Sequence, residues 1–156
     1  MSGISVVIPA IGHQSDLDDT LVSVLEIQRA NWQVIVPCDS DYEDPYGLEN
    51  EVQFLRVDDS RDFSGWPTLA SAAIEHSTCP LTCVLMPGVQ LNADFAQESR
   101  DLFDQDHDIA AIAPRLDGIQ AESVVGARLS RRGRRLPLTL TQASQSTFQD
   151  LSLIHI

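Results

Sequence analysis

Carboxylates gather where the apolar runs of this chain stop. Trp32-Gln33-Val34-Ile35-Val36 ends at Pro37-Cys38-Asp39-Ser40-Asp41, with Asp44 close behind, and Gln53-Phe54-Leu55-Arg56-Val57 ends at Asp58-Asp59, with Asp62 following. A carboxylate at the end of a strand can accept an N–H from a ligand, or hold a hard cation through oxygen. It can equally build the turn itself by bonding to its own backbone. Asp39 and Asp41 are the first candidates for ligand contact on these grounds. His13 follows the first apolar run, and Trp66 opens a later helix where its ring could stack on a base or sugar. His76-x-x-Cys79-x-x-x-Cys83 offers metal-ligand types, but Cys83 lies inside an apolar run and no fourth ligand follows at finger-like spacing. The three cysteines read as structural thiols, and no bound metal is expected from them.

The elements that must position these groups repeat in a simple order. Ile4-Ser5-Val6-Val7-Ile8 is a buried-looking strand that stops at Pro9-Ala10. Leu17, Leu21, Val24 and Leu25 then recur at helical spacing, so Ser15–Gln28 is predicted as a helix with Ser15 as its cap. Further strands are expected at 32–36, 53–57, 81–86 and 109–113, with a short helix around Tyr46–Glu51. Pro67, in the first turn, starts a helix after Gly65, and Asn92 is expected to cap another with Phe95, Ser99, Leu102 and Phe103 facing inward. Strands alternating with helices predict a three-layer α/β/α domain on a mostly parallel sheet. Ligands of such sheets sit in the crevice at the carboxyl ends of the strands, which is where Asp39 falls.

The 156 residues suit one main domain, and the apolar share of 43% suits a packed core. No apolar stretch approaches the ~18 residues of a membrane span, and the N-terminus lacks the zones of a secretion signal, so a cytoplasmic protein is expected. The net charge of −13 is unevenly spread. Residues 1–127 carry 22 acids against five arginines, whereas 128–156 carry five arginines and one acid; lysine is absent. An acidic body repels nucleic acid, which excludes a general nucleic-acid binder. Beyond Asp117 the rhythm fades. The domain is therefore expected to span 1–117, with 118–156 an incomplete or poorly ordered extension holding a hairpin around Arg131–Arg135. That basic hairpin could hold a phosphate or touch an anionic membrane surface. The closing Leu151–Ile156 resembles translated sequencing-adapter sequence, which would make this a truncated gene product.

The succession Val6-Val7-Ile8-Pro9-Ala10, amphipathic helix, strand, Asp-rich turn, strand, helix, strand resembles the family 2 glycosyltransferases over about residues 4–115. The resemblance implies the GT-A fold and a nucleotide-diphosphate sugar as donor, transferred with inversion to a hydroxyl acceptor. On it, Pro9 and Ala10 line the nucleotide. Cys38-Asp39-Ser40-Asp41 takes the place of the family's Asp-Asp-Gly-Ser turn, so Asp39 accepts an N–H from the base and Asp41 lies beside it. Trp66 falls on a position often basic or Asn in the family and Met86 and Gly88 at the end of its fourth strand, so these, with His13 in the loop after the first strand, are the candidates for phosphate or other ligand contact.

One departure bears on the chemistry. The family's fourth strand ends in Asp-x-Asp, which holds Mg²⁺ or Mn²⁺ on the donor diphosphate; here those positions are Met86 and Gly88, with no side-chain oxygen. No metal cofactor is expected, and the departing diphosphate lacks its usual charge neutralisation. Gly88-Val89 amides or the Arg128–Arg135 segment are the replacements on offer. The 68 residues after Gly88 show no convincing general base, so the catalytic residue stays unknown. The expectation is a glycosyltransferase-like, donor-binding domain that is incomplete or catalytically impaired. A non-catalytic nucleotide- or sugar-binding module on the same fold is the alternative. A nucleotidyltransferase is a third reading, disfavoured by the lack of a Gly-rich, basic phosphate loop after the first strand.

Overall fold

Four of the apolar runs pair side by side in the computed structural model, which describes residues 3–39, 42–57, 65–105, 109–112, 124–129 and 135–139. The elements are β1 (Ile4–Val7), α1 (Gln14–Ile27), β2 (Gln33–Cys38), β3 (Gln53–Arg56), α2 (Trp66–Glu75), β4 (Leu81–Val84), α3 (Phe95–Gln105), β5 (Val124–Leu129) and β6 (Arg135–Thr139). The chain divides into two compact units, Met1–Asp101 and Leu102–Ile156.

In the first unit β1 to β4 form an all-parallel sheet in the order β3-β2-β1-β4. Alternation along the strands sends each side chain to one of two faces. Ile4, Val6 and Ile8, with Val34 and Val36, meet Leu17, Leu21 and Val24 of α1 and Ala96 of α3. Val7 and Ile35 face the other way, onto Ala73 of α2 with Leu55 beside them. Helices thus cover both faces, the three layers expected, and each such buried aliphatic side chain contributes roughly 1.5–3 kcal/mol. Gly3 sits where a Cβ would lie 2.6 Å from the Asn31 carbonyl oxygen and 2.8 Å from Cys79 Sγ. In the second unit, β5 and β6 pair antiparallel, Leu129 opposite Arg135, with a bulge between Val124 and Gly126. This is the hairpin expected; its tip at 130–134 lies outside the described residues.

Several boundaries differ from the expectations, each for a local reason. α1 starts one residue before Ser15, with His13 as its N-cap and the His13 carbonyl accepting from Asp16 and Leu17. No side chain caps it. β2 runs through Pro37 to Cys38, because Pro37 still accepts from the Ala10 amide (2.9 Å) and only withdraws a donor at the end of the ladder. Residues 42–52 hold turns rather than the short helix expected near Tyr46. They cross back from β2 to β3 with Tyr42 and Leu48 packed against the α1-side core. At α3 the first helical amides, Gln97 and Glu98, reach the Asp94 carbonyl, so Asp94 rather than Asn92 begins the helix. Leu102, expected inward, is 44% exposed, and Ala96 is the buried residue of that helix. No strand forms at 109–112. Ile109 and Ile112 are three apart, so they cannot share a strand face, and the alanines between them favour strand weakly.

Candidate functional site at the carboxyl rim of the sheet

The chain leaves β1 for β2 on one side and returns to β4 on the other. That reversal opens a crevice over the carboxyl ends, the usual binding place of parallel sheets. Its walls are the loops after β1, β2 and β4.

Pro9 is buried and Ala10 half-buried, directly beyond the end of β1. The Ala10 amide donates to the Pro37 carbonyl, which fixes the β1 exit beside the β2 exit. Asp39 is the next residue but one along β2's path and is exposed. Its carbonyl accepts from the Tyr42 amide (3.4 Å) and from Arg56 Nη1 (3.4 Å) at the end of β3. Pro9, Ala10 and Asp39 therefore share one stretch of rim. Asp41, Asp58, Asp59 and Asp62 lie outside the described residues. Asp44 is a turn-former: its carboxylate accepts from the amides of Tyr46 (3.0 Å) and Leu48.

Across β1, the loop after β4 is tied to α1. The Gly88 amide donates to the Asp16 carbonyl and to Thr20 Oγ1, each at 2.9 Å, while the Thr20 hydroxyl donates to the same carbonyl at 3.1 Å. Leu91 N–H reaches Ser23 Oγ. The Val89 amide donates to the Met86 carbonyl. Both amides offered to a phosphate by the sequence are thus engaged within the protein. Gly88 has φ +89°, a left-handed conformation that a side chain would strain. Met86 is 37% exposed at the β4 exit. Neither position carries a side-chain oxygen. His13 is exposed at the start of α1, and Trp66, 36% exposed, is the first residue of α2. Both are loop-end positions of the same rim.

His76, Cys79 and Cys83 lie away from this rim, while Cys38 ends β2 directly before Asp39. The His76 ring meets the Ala72 carbonyl, Cys79 Sγ points to the Asn31 carbonyl, and Cys83 packs against the core, with burial pushing its thiol up to about 12. Burial also raises the Cys38 thiol, with Arg56 pulling the other way.

Comparison with solved structures places this architecture. The chain is similar to residues 1–349 of S. aureus TarS, a glycosyltransferase, with a TM-score of 0.55 and 12% sequence identity. The likeness takes in 80% of this chain, which spans 41% of that one. The fold is glycosyltransferase-like. No family profile matches the sequence, and no curated protein does. Among the described residues, no helix is long and apolar enough to cross a membrane.

Two residues at this rim were not singled out from the sequence. Thr20 is fully buried on the apolar face of α1 and anchors the β4 exit. A threonine between Leu17, Leu21 and Val24 is the signal that could have marked it. Arg56, beside Asp39, ends an otherwise ordinary edge strand, and only the pairing of β2 with β3 brings it there.

Proposed function

We propose that this chain binds a nucleotide-diphosphate sugar at the carboxyl rim, as the donor-binding part of a glycosyltransferase acting on a hydroxyl acceptor. Asp39 accepts an N–H from the base, and Pro9-Ala10 lines the nucleotide. The observation that supports the reading is the hydrogen bond from the Ala10 amide to the Pro37 carbonyl, which holds the β1 exit beside the β2 exit that Asp39 follows, in a glycosyltransferase-like fold. The bonds to its carbonyl hold the Asp39 backbone at the end of β2, which lowers the ordering cost of a contact made there. The proposed base and nucleotide contacts need no metal, and Met86 and Gly88 carry no side-chain oxygen.

That same absence favours a second reading, a non-catalytic binding module. An exposed Met86 and a left-handed Gly88 tied to α1 suit a fixed wall better than a cation seat. Calorimetry with UDP- and GDP-sugars, with and without Mn²⁺, tests both. Metal-independent binding that Asp39→Ala abolishes supports the proposal, and sugar transfer then separates enzyme from module. Tight binding that requires Mn²⁺ contradicts the account of Met86 and Gly88, and no nucleotide binding at all removes the proposal.

A further inference from the structure

β4 ends one side of the sheet in the first unit, and β3 ends the other. Such an edge offers a row of backbone N–H and C=O groups to any strand that can lie alongside, and proteins ordinarily guard it with charge, proline or a bulge. The two edges differ in this respect. β3 carries Arg56, follows Glu49 and Glu51, and runs on into Asp58-Asp59. β4 has no such guard. Its ladder with β1 is regular over Leu81–Val84, and Pro80 and Pro87 stand outside the strand. Asp, Glu, Lys and Arg are absent from Ser77 to Ala93, the longest stretch without them in a chain of net charge −13.

The direction of the ladder says which groups are on offer. The Leu85 amide donates to the Val7 carbonyl on β1 (2.9 Å). Backbone groups alternate between the two sides of a strand, so Thr82 and Val84 present N–H and C=O away from β1. Among the described residues, no strand pairs with that side of β4. The Thr82 and Val84 side chains lie on the sheet face that carries α2, in register with Ser5 and Val7. α2 packs over β2 and β1, and both side chains stay exposed, Val84 at 38%. Edge and face are open at one place.

Charge decides the occupant. Two copies of so acidic a chain repel, and like charges set against each other in a contact weaken binding. They meet at least cost where neither presents a charge, and the β4 stretch is such a place. A strand also matches itself. Turned about a two-fold axis, Thr82 of one copy lies opposite Val84 of the other, and each such pair exchanges both backbone hydrogen bonds. A basic peptide, which the acidic body would attract, finds no carboxylate along 77–93 to receive its charges.

We infer that this chain pairs with a second copy of itself, β4 against β4 antiparallel, joining two four-stranded sheets into one. The contact does not involve Asp39 and holds with or without nucleotide. So short a strand buries less than the roughly 1,200 Å² of stable interfaces, which makes the dimer weak.

The test is sedimentation velocity on the full chain from ~5 to ~500 µM, with a Kd on the order of 100 µM expected. Association should tighten between ~50 and ~500 mM NaCl, as salt screens the repulsion. Thr82→Lys, at the exposed edge, should weaken it at least ~10-fold although it lowers the net negative charge. Glu51→Lys, beside the guarded edge, lowers that charge further and should leave the dimer at least as tight. Amide exchange at Thr82 and Val84, read by NMR, should slow as the concentration rises. The inference is overturned if the chain stays monomeric at ~500 µM in both salts, or if Thr82→Lys associates as wild type does. It is also overturned if those two amides are slow at every concentration, since a segment of the same chain would then cover the edge.

Discussion

Replacing Gln33 by alanine is expected to cost about 2–3 kcal/mol, far more than a half-buried glutamine ordinarily would. Its side chain is the hub of the amino-terminal end of the sheet, opposite the candidate site. Oε1 accepts from Ser5 Oγ (2.8 Å), the Thr78 amide (2.9 Å) and Thr78 Oγ1 (3.0 Å). Nε2 donates to Gln53 Oε1 (3.0 Å) and the His76 carbonyl (3.1 Å). Most of those partners are exposed and would turn to water at little cost. Ser5 would not: it is fully buried, and its hydroxyl would keep only the bond it accepts from the Cys79 amide. An orphaned buried donor costs about 1–3 kcal/mol, and the four freed contacts add a few tenths each. For a domain of this size that lowers Tm by about 5–10 °C. The assay is urea denaturation of wild type, Gln33→Ala, Ser5→Ala and the double variant. Because the single changes share one bond, the double should cost about 1 kcal/mol less than their sum. A Gln33→Ala loss below about 0.5 kcal/mol, or strict additivity, would refute the reasoning.

Thr20→Val keeps the side chain's shape but removes the acceptor that Gly88 uses and the bond to Asp16. A loss of about 1–2 kcal/mol, with faster amide exchange at Gly88 but not in β1, is expected. Gly88→Ala should cost about 1 kcal/mol from its left-handed φ rather than from crowding, since its nearest neighbour, Asp16 Cβ, would lie at 3.8 Å; Gly88→Asn, which tolerates that conformation, should cost less. Alkaline pH should destabilise the fold through Cys83. Its folded thiol holds its proton to about 12, while the unfolded thiol loses it from about 8.5. The contribution is therefore complete below pH 8.5 and lost as pH rises through that window. Roughly 1–2 kcal/mol should be gone by pH 10, and Cys83→Ala should flatten the slope of stability measured between pH 7 and 10.

The sheet was legible because its strands are β-branched runs that end abruptly, and burial on both faces leaves such runs few alternatives. α2 was legible from Pro67, whose missing N–H costs nothing in a first turn. The misreadings arose where pairing or packing overrules local signals. Pro37 stays in β2 because its carbonyl still serves the ladder. The crossover from β2 to β3 needs no helix, since Tyr42 and Leu48 bury themselves as turns. Ile109–Ile112 has the composition of a strand without its alternation. At the site, Asp39 was marked as a ligand candidate by its strand end, whereas its base-reading role and the Pro9-Ala10 wall came from the family resemblance. Thr20 and Arg56 act through contacts between segments distant in sequence, which no local pattern encodes.

Amide hydrogen exchange followed by mass spectrometry, with and without a UDP- or GDP-sugar, tests the central claim most directly. The account predicts protection concentrated at residues 8–11 and 37–39, lost in Asp39→Ala. Protection confined to the opposite end of the sheet around Gln33 and Thr78, or no protection with any donor, would contradict it.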